Sequence, residues 1–382
     1  MPPPAAVVLD RVVVTGSHIR RSETEDALPV QVVTREEIER SGVTTVEQLL
    51  ERVPANVNGF NQALTIGSSN RPGLSGANLR GLGGGSTLVL LNGRRLANYA
   101  FDGETVDLNS IPLAAIDRVE VLKDGASAIY GTDAIAGVIN FILRKDYVGA
   151  DVSGTFAATQ HGGGNSGQLS ASYGFGDPAR DGYNVFAVVT FQKQQALRAF
   201  DREFARTAYR PEQGIDGLSP ATFPSNINDR RRGRLINSTF AGGCAPPASL
   251  PFRNQEASSA FAAACGYDYA VAIDLLPEVE RASAMLRGTW QVNEAVDVFV
   301  EALLGRNRFN SKIAPTPVPG VTLFGRDLYP AGGPYYPTAF AAANGLSGDL
   351  LVLYRAVELG PRTNSTTSDT ERFAVSAEGT FA

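Results

Sequence analysis

From residue 149 onward, apolar and polar residues alternate in segments separated by polar, glycine-containing stretches. Alternation puts successive side chains on opposite faces, so each segment is predicted to be a β-strand. On one segment Leu169 and Tyr173 share a face, and Ser170 and Ser172 share the other. The predicted strands are 151–159, 168–175, 184–194, 281–291, 296–306 and 371–381.

The polar faces of these strands carry charges such as Arg287, Glu301 and Glu378. Such charges need water or a polar neighbour, because an unpaired charge in apolar surroundings is costly. A soluble β-sandwich shows similar alternation, so periodicity alone leaves both a sandwich and a membrane barrel open. The connections alternate in length, as in outer-membrane barrels. The short turns are 176–183 and 292–295, and the long loops are 195–280 and 307–368.

The N-terminal third has a different pattern and predicts a small α+β unit. Residues 28–34 alternate like a strand, and Thr34 is placed to cap a helix that starts at Arg35 and ends near Gly42. Thr44 or Thr45 begins a second helix, which Pro54 stops. Apolar residues recur at helical spacing within it.

Composition narrows the class of protein. The formal net charge is −5, which argues against a nucleic-acid partner. There is no run of 18 apolar residues, so no membrane-spanning helix is predicted. The N-terminus shows no basic and apolar signal peptide.

Catalytic and cofactor chemistry is not indicated. The glycine run 81–86 is followed by a β-rich segment and has no Gly-Lys-Ser/Thr ending, so a nucleotide loop is not predicted. No G-x-S-x-G motif occurs, and the two cysteines and two histidines lack metal-ligand spacing. We predict no enzyme, no cofactor and no metal.

The segment 111–145, IPLAAIDRVEVLKDGASAIYGTDAIAGVINFILRK, is the most informative in the chain. Upstream of it lie Arg80-Gly81 and the turn Asn92-Gly93-Arg94. Together these motifs resemble the plug domain of TonB-dependent outer-membrane receptors over about 120 residues. The resemblance implies an α+β plug domain followed by antiparallel transmembrane β-barrel strands, about six of the roughly 22 that such barrels contain.

Particular residues carry this resemblance. Lys123-Asp124-Gly125 departs from the Arg-Gly-Pro common in the family. Arg80, Arg118, Glu120 and Lys123 are expected to be plug charges that pair with inward wall charges such as Glu301 and Glu378. The plug-motif residues are Arg80, Gly81, Asn92, Gly93, Arg118, Glu120, Lys123, Gly125, Tyr130, Gly131, Gly137 and Asn140.

An N-terminal arm precedes the plug. The residues Val12, Val13, Val14, Thr15 and Gly16 resemble the TonB box, which implies pairing with a sheet edge of the periplasmic TonB protein. The predicted division is an arm over 1–26, a plug over 27–146 and the N-terminal part of a barrel over 149–382. Because six strands cannot close a barrel around a plug, we expect the chain to be an N-terminal fragment.

Aromatic residues are candidates for ligand binding. Tyr99 and Phe101 lie where the family places the plug apex, and Tyr335 and Tyr336 lie in the last long loop. Aromatic faces stack on sugars or aromatic siderophores. The alternative is that these rings pack the loops or form the interfacial girdle.

Cys244 and Cys265 are predicted to form a disulfide, because both lie in one polar segment and a periplasmic or surface setting would oxidise them. Two unrelated thiols are the alternative.

The resemblance implies a receptor in the outer membrane of a Gram-negative bacterium, monomeric when full length. It would contact membrane lipid, engage TonB, and take up a siderophore, oligosaccharide, cobalamin or peptide. The rival interpretations are a passive porin or adhesin, which would lack the arm and the plug, and a secreted soluble carbohydrate-binding β-protein.

Overall fold

The computed structural model describes residues 30–57, 59–68, 71–229, 234–252, 263–293, 295–318, 321–322, 325–326 and 328–379. Within these, a five-stranded sheet occupies the N-terminal third and a six-stranded sheet follows it. We call the described residues up to 146 the plug and the six-stranded sheet the wall. No helix in the described part of the chain is long and apolar enough to cross a membrane.

The plug sheet has the strand order β1-β4-β5-β2-β3. The pair β2 and β5 is parallel, and the other neighbours are antiparallel. Its strands are β1 Val30–Val33, β2 Thr87–Leu91, β3 Arg94–Arg95, β4 Ile116–Leu122 and β5 Gly137–Leu143. Its helices are α1 Arg35–Ser41, α2 Val46–Glu51 and α3 Ser127–Tyr130, with 3₁₀ turns at Gly84–Ser86, Leu108–Ser110, Leu113–Ala115 and Thr132–Ala134.

The first helix begins and ends where the sequence predicted. The Thr34 hydroxyl accepts from the Glu37 N–H, and the Glu37 carboxylate accepts from the Thr34 N–H, which is a capping box. Gly42 ends the helix in the left-handed region at φ 68°. Thr45, rather than Thr44, caps α2 by accepting from the Gln48 N–H. These contacts satisfy the backbone groups that helix ends leave unpaired.

The wall is a meander in which every strand pairs with its neighbour along the chain. All six predicted strands are confirmed, but the last three are longer than predicted, since their polar ends obscure the alternation. The wall strands are β6 Gly149–Ala157, β7 Ser166–Phe175, β8 Tyr183–Gln194, β9 Glu278–Asn293, β10 Val296–Ile313 and β11 Arg362–Gly379. The helix α4 Pro178–Asp181 lies in the turn between β7 and β8.

The two faces of the wall have different surroundings. Phe191 on the outward face is 57% exposed, and Phe373 is 72% exposed. On the inward face, Phe186, Met285 and Leu303 are buried and belong to the same apolar cluster as the plug core. The plug therefore packs against the inward face, which is more apolar at this contact than its charged residues suggested.

The long connections are folded rather than irregular. The strand Asn226–Asp229 of the first connection pairs with Leu350–Arg355 of the second, so the two connections share a sheet. The remaining helix is α5 Thr338–Ala343. Further short strands are Leu197–Arg198, Tyr209–Arg210, Ile215–Asp216, Arg234–Asn237, Ser249–Pro251, Cys265–Tyr267, Asp274–Leu276, Pro317–Val318, Val321–Thr322, Gly325–Arg326 and Leu328–Tyr329. Further 3₁₀ turns are Ala199–Asp201, Pro211–Gln213, Phe240–Gly242, Tyr269–Val271 and Val357–Leu359.

Candidate functional site: the contact between plug and wall

The first polar contact between plug and wall is centred on Glu301 of β10, which is 4% exposed. Its carboxylate accepts from Nη1 of Arg372 at 2.9 Å and lies 3.7 Å from Nε of Arg287. It also accepts from Nδ2 of Asn92, a plug residue. Arg287 in turn donates from Nη1 to the Leu143 carbonyl of the plug at 3.1 Å. We call these five residues the Glu301 contact.

The Asn92-Gly93 turn shapes the plug side of this contact. Asn92 has φ 50°, a left-handed conformation that asparagine tolerates better than most residues. Its Oδ1 accepts from the Leu143 N–H at 2.9 Å, while its amide group reaches Glu301. Asn140 accepts from the Gly93 N–H at 2.9 Å. The turn therefore ties the end of β2 to β5 and presents one side chain to the wall.

The second polar contact is centred on Arg281 of β9. Its Nη1 donates to Oε1 of Gln192 at 2.9 Å, and its Nη2 lies 3.9 Å from the carboxylate of Glu47 on α2. Asp107, only 6% exposed, is attracted by the same guanidinium. We call Glu47, Asp107, Gln192 and Arg281 the Arg281 contact.

Burial governs the charges on the plug side of the Arg281 contact. Desolvation raises the pKa of Asp107 to about 6, although hydrogen bonds from the Asn109 and Ser75 N–H groups and the attraction of Arg281 oppose it. Desolvation also raises the pKa of Glu47, against the lowering effect of Arg281. Both carboxyls thus hold their protons more strongly than in water.

Close backbone approach brings the wall against the plug near the Arg281 contact. Gly73 has φ 73°, and a Cβ built there would lie 2.8 Å from Cβ of Phe309 on β10. Asn109 donates from Nδ2 to the Gly73 carbonyl at 3.0 Å, and Asn307 of β10 donates to the same oxygen at 3.4 Å. Only glycine fits this approach without displacing the wall.

The expected pairing of Arg80, Arg118, Glu120 and Lys123 with inward charges of the wall is not what the described residues show. Arg80 donates to the Ile135 and Ala136 carbonyls of the plug, and Arg118 pairs with Glu120 at 2.9 Å. Lys123 is half-buried. The wall carboxylate Glu301 is instead engaged by an asparagine and two wall arginines, and Glu378 is exposed. The reason is local geometry, since the turn at Asn92 is what reaches the wall.

The remaining plug-motif residues build the plug itself. Gly137 has φ 138°, and a Cβ there would lie 2.3 Å from the Leu122 carbonyl oxygen. Arg95 donates to the Tyr130 carbonyl at 2.7 Å and pairs with Asp133. Gly81 and Gly131 have φ 72° and 89°, and Gly125 is exposed. These residues shape turns between strands.

The four candidate ligand aromatics fall into two groups. Phe101 is 59% exposed and Tyr335 is 84% exposed. Tyr99 is 4% exposed and donates from its hydroxyl to the Pro72 carbonyl at 2.6 Å. Tyr336 is half-buried and donates to the Gly348 carbonyl at 3.1 Å. Tyr99 and Tyr336 therefore pack within the protein, in line with the alternative interpretation of these rings, because the plug and the second connection cover them.

Arg355 is a buried residue that no sequence motif predicted. It is 4% exposed and donates to the Ala221 and Pro315 carbonyls, so it joins the two long connections.

The predicted disulfide between Cys244 and Cys265 is present in the first connection. In the part of the chain that the structure describes, no group of side chains is suited to a metal ion. The TonB-box residues Val12–Gly16 lie outside the described residues.

Comparison with known proteins agrees with this architecture. Residues 23–138 match the family model described as the TonB-dependent Receptor Plug Domain. Residues 23–138 therefore belong to the plug-domain family of TonB-dependent receptors, and a sheet of six antiparallel strands follows them.

Several solved receptors are similar to this chain at low sequence identity. A mutant of the ferric enterobactin receptor from Pseudomonas aeruginosa in complex with enterobactin is 14% identical, with 76% of this chain and 38% of that chain covered and a TM-score of 0.46. The siderophore receptor PiuA from Acinetobacter baumannii is also 14% identical, with 95% and 44% covered and a TM-score of 0.43. The siderophore receptor PirA from Pseudomonas aeruginosa is 16% identical, with 76% and 39% covered and a TM-score of 0.39. This chain spans about two fifths of the length of these receptors.

Proposed function

We propose that the protein acts as a TonB-dependent outer-membrane receptor that takes up a scarce nutrient. The observation that carries the proposal is a plug domain packed on the inward face of a strand wall, with buried hydrogen-bonded charges at the contact. The candidate nutrients are a siderophore, an oligosaccharide, cobalamin or a peptide. A plug in this position has a gating role, because it blocks the side of the wall along which a nutrient would pass.

We propose that the chain is divided into three parts with different roles. Residues 1–26 are the arm that TonB binds, residues 27–146 are the plug, and residues 149–382 are the N-terminal part of the barrel. The long connections within 195–280 and 307–368 face outward from the cell. Of the four candidate ligand aromatics, Phe101 and Tyr335 are exposed and so available to a ligand.

The wall needs further strands for this role. Its edge strands β6 and β11 each have one wall neighbour among the described residues. An unpaired strand edge is not tolerated in the hydrocarbon of a membrane, because no water is present to satisfy its backbone groups. We therefore propose that strands beyond this wall pair with both edges and close a barrel around the plug.

The polar part of the plug–wall contact suits a plug that must move, although apolar side chains of the wall also pack on the plug core. A buried charge released into a water-filled lumen regains its hydration, whereas separated apolar surfaces do not. The Glu301 contact thus holds the resting plug, and its hydrogen bonds can still be replaced by hydrogen bonds to water. TonB, pairing with Val12–Gly16, would supply the energy for that exchange.

Deletion of the arm tests this function. In the full-length receptor, removal of Arg11–Gly16 is expected to abolish energised nutrient uptake while leaving nutrient binding at the cell surface intact. An equal-length deletion of Pro2–Val7 is the matched control and should retain uptake. Uptake that survives loss of Arg11–Gly16 would contradict the proposal and favour a passive porin.

A further inference from the structure

The Arg281 contact places two carboxyls of the plug against one cation of the wall. Glu47 lies on α2, Asp107 precedes the 3₁₀ turn Leu108–Ser110, and Arg281 lies on β9. The side chains of Glu47 and Arg281 are 18% and 11% exposed, and Asp107 is 6% exposed. If both carboxyls were ionised, the three groups would carry a net charge of −1 in a site with little water. A buried excess charge of this kind is costly.

The hydrogen bonds of the two carboxyls do not offset that excess charge. Asp107 accepts from the Ser75 N–H at 3.3 Å and from the Asn109 N–H at 3.2 Å. The buried Oε2 of Glu47 makes no hydrogen bond within the described residues and lies 3.9 Å from Nη2 of Arg281. The Ser75 hydroxyl adds a weaker attraction for the Glu47 carboxylate. One guanidinium therefore serves two carboxyls.

The other charges near Glu47 and Asp107 do not supply a second cation. Arg71 of the plug is engaged by Asp102 at 3.2 Å and by Glu104 at 3.6 Å. Glu51 of α2 acts on Glu47 as a like charge and favours its protonated form. The titratable and charged groups around the pair are Arg281 of the wall and Glu51, Arg71, Tyr99, Asp102 and Glu104 of the plug.

We propose that Glu47 and Asp107 form a proton-binding site, which holds one shared proton while the plug is seated on the wall and releases it when the plug leaves. Two carboxyls that share one cation in a dry site retain a proton between them, because the second negative charge would be unpaired. In agreement, burial raises the pKa of Asp107 to about 6 and also raises the pKa of Glu47.

Displacement of the plug would expose this site to water. The wall covers the turn that follows Asp107, since a Cβ built at Gly305 of β10 would lie 3.4 Å from Cα of Ser110. In a water-filled lumen, carboxyls have ordinary pKa values of about 4. The inference rests on the proposed function, because it requires a plug that leaves the wall of a barrel.

Release of the proton makes plug displacement depend on pH. The seated plug binds more protons than the displaced plug between about pH 4 and 6, so displacement becomes easier as the pH rises through this window. For one proton, the displacement equilibrium changes at most about tenfold per pH unit. Above the window the seated plug has already lost the proton, and the dependence levels off.

The test measures the ion conductance of planar lipid bilayers that hold the full-length receptor, while urea displaces the plug. In the native receptor, the urea concentration at half-maximal conductance should fall as the pH rises from about 4.5 to 6 and then stay constant. The double variant E47Q/D107N keeps the size and an acceptor of each side chain but cannot titrate, so the fall should be lost. The control D124N removes an exposed carboxyl of the plug and should keep the native fall.

Arg281→Gln distinguishes a shared proton from a contact that is merely weak. Without the guanidinium, the seated pair should hold close to two protons, so the fall per pH unit should be about twice that of the native receptor. A purely structural loss would lower the urea midpoint by the same amount at every pH. An unchanged or smaller steepness in Arg281→Gln would overturn the shared-proton site.

The outcomes separate this site from the proposed function. A native urea midpoint that does not fall between about pH 4.5 and 6, or a fall that persists in E47Q/D107N or is lost in D124N, would overturn the proton site while leaving the receptor function intact. If the double variant does not fold, the native receptor and Arg281→Gln still decide. A native receptor that fails to insert, or whose conductance never rises with urea, would overturn the gated barrel and the proton site together.

Discussion

The two polar contacts between plug and wall differ in how completely their charges are paired. At the Glu301 contact, one buried carboxylate is shared by two arginines and an asparagine, and Arg287 also donates to the plug backbone. At the Arg281 contact, two plug carboxyls lie near one guanidinium, and the ion pair between Arg281 and Glu47 is 3.9 Å long. The first contact gives its one carboxylate several donors, although the buried Nε of Arg287 makes no hydrogen bond within the described residues. The second contact depends on protonation.

This difference has a consequence for how each contact stabilises the plug. Removing the buried carboxylate that two arginines share leaves both arginines charged and unpaired, which is costly. The Arg281 contact instead responds to pH, because burial has already raised the pKa of Asp107 and Glu47. The Glu301 contact is therefore expected to anchor the plug, and the Arg281 contact to adjust its stability.

The largest expected effect comes from breaking the Glu301 contact. Glu301→Ala leaves Arg287 and Arg372 without their shared carboxylate, so the free energy of unfolding of the full-length receptor should fall by about 3–5 kcal/mol. Urea titration in detergent measures it. Glu371→Gln, at an exposed carboxylate of the wall strand β11, is the control and should change the value by less than about 0.5 kcal/mol. Similar small changes in both variants would show that the Glu301 contact is not an anchor.

A smaller, pH-dependent effect is expected at the Arg281 contact. Because the pKa of Asp107 is raised from 3.8 to about 6 in the folded protein, the folded state binds the proton more tightly than the unfolded state between these values. Stability should therefore fall as the pH rises from about 4 to 6, by at most about 3 kcal/mol.

Asp107→Asn should remove the share of this fall that Asp107 contributes and leave the share from Glu47, whose pKa is also raised. The neutral amide keeps an acceptor for the Ser75 and Asn109 N–H groups. The control is Asp133→Asn. The pKa of Asp133 is lowered by its hydrogen bond from Arg95, so its contribution has the opposite sign and the fall should persist without it. An unchanged pH profile in Asp107→Asn would assign the fall to another group.

The smallest of the three effects is steric. Gly73→Ala places a Cβ 2.8 Å from Phe309, at a positive φ, and should lower the free energy of unfolding by about 2 kcal/mol. Gly103→Ala is matched to it, because Gly103 has φ 69° and open space around its Cβ position. Gly103→Ala should lower the free energy of unfolding only by the backbone strain of a positive φ, about 1 kcal/mol. Equal losses in the two variants would mean that the wall yields at Phe309.

Much of the local structure followed from sequence patterns. Thr34 and Gly42 mark the ends of α1 because capping and left-handed termination are local chemistry. Leu169 and Tyr173 are exposed and Ser170 and Ser172 are buried, as the period of two predicted. The folded long connections were not foreseen, because their strands are short and pair across more than a hundred residues.

By itself, the sequence determined the caps of the first helices, the strands and their two faces, and the motifs of the plug. These properties depend on residues that are close in the sequence, because local preferences for backbone dihedral angles and side-chain packing control them. Only the tertiary structure decided that Asn92 meets Glu301 and that Glu47 meets Arg281. Such partners are chosen when the plug packs against the wall, and no periodicity along the chain encodes which distant side chains will then lie within hydrogen-bonding distance.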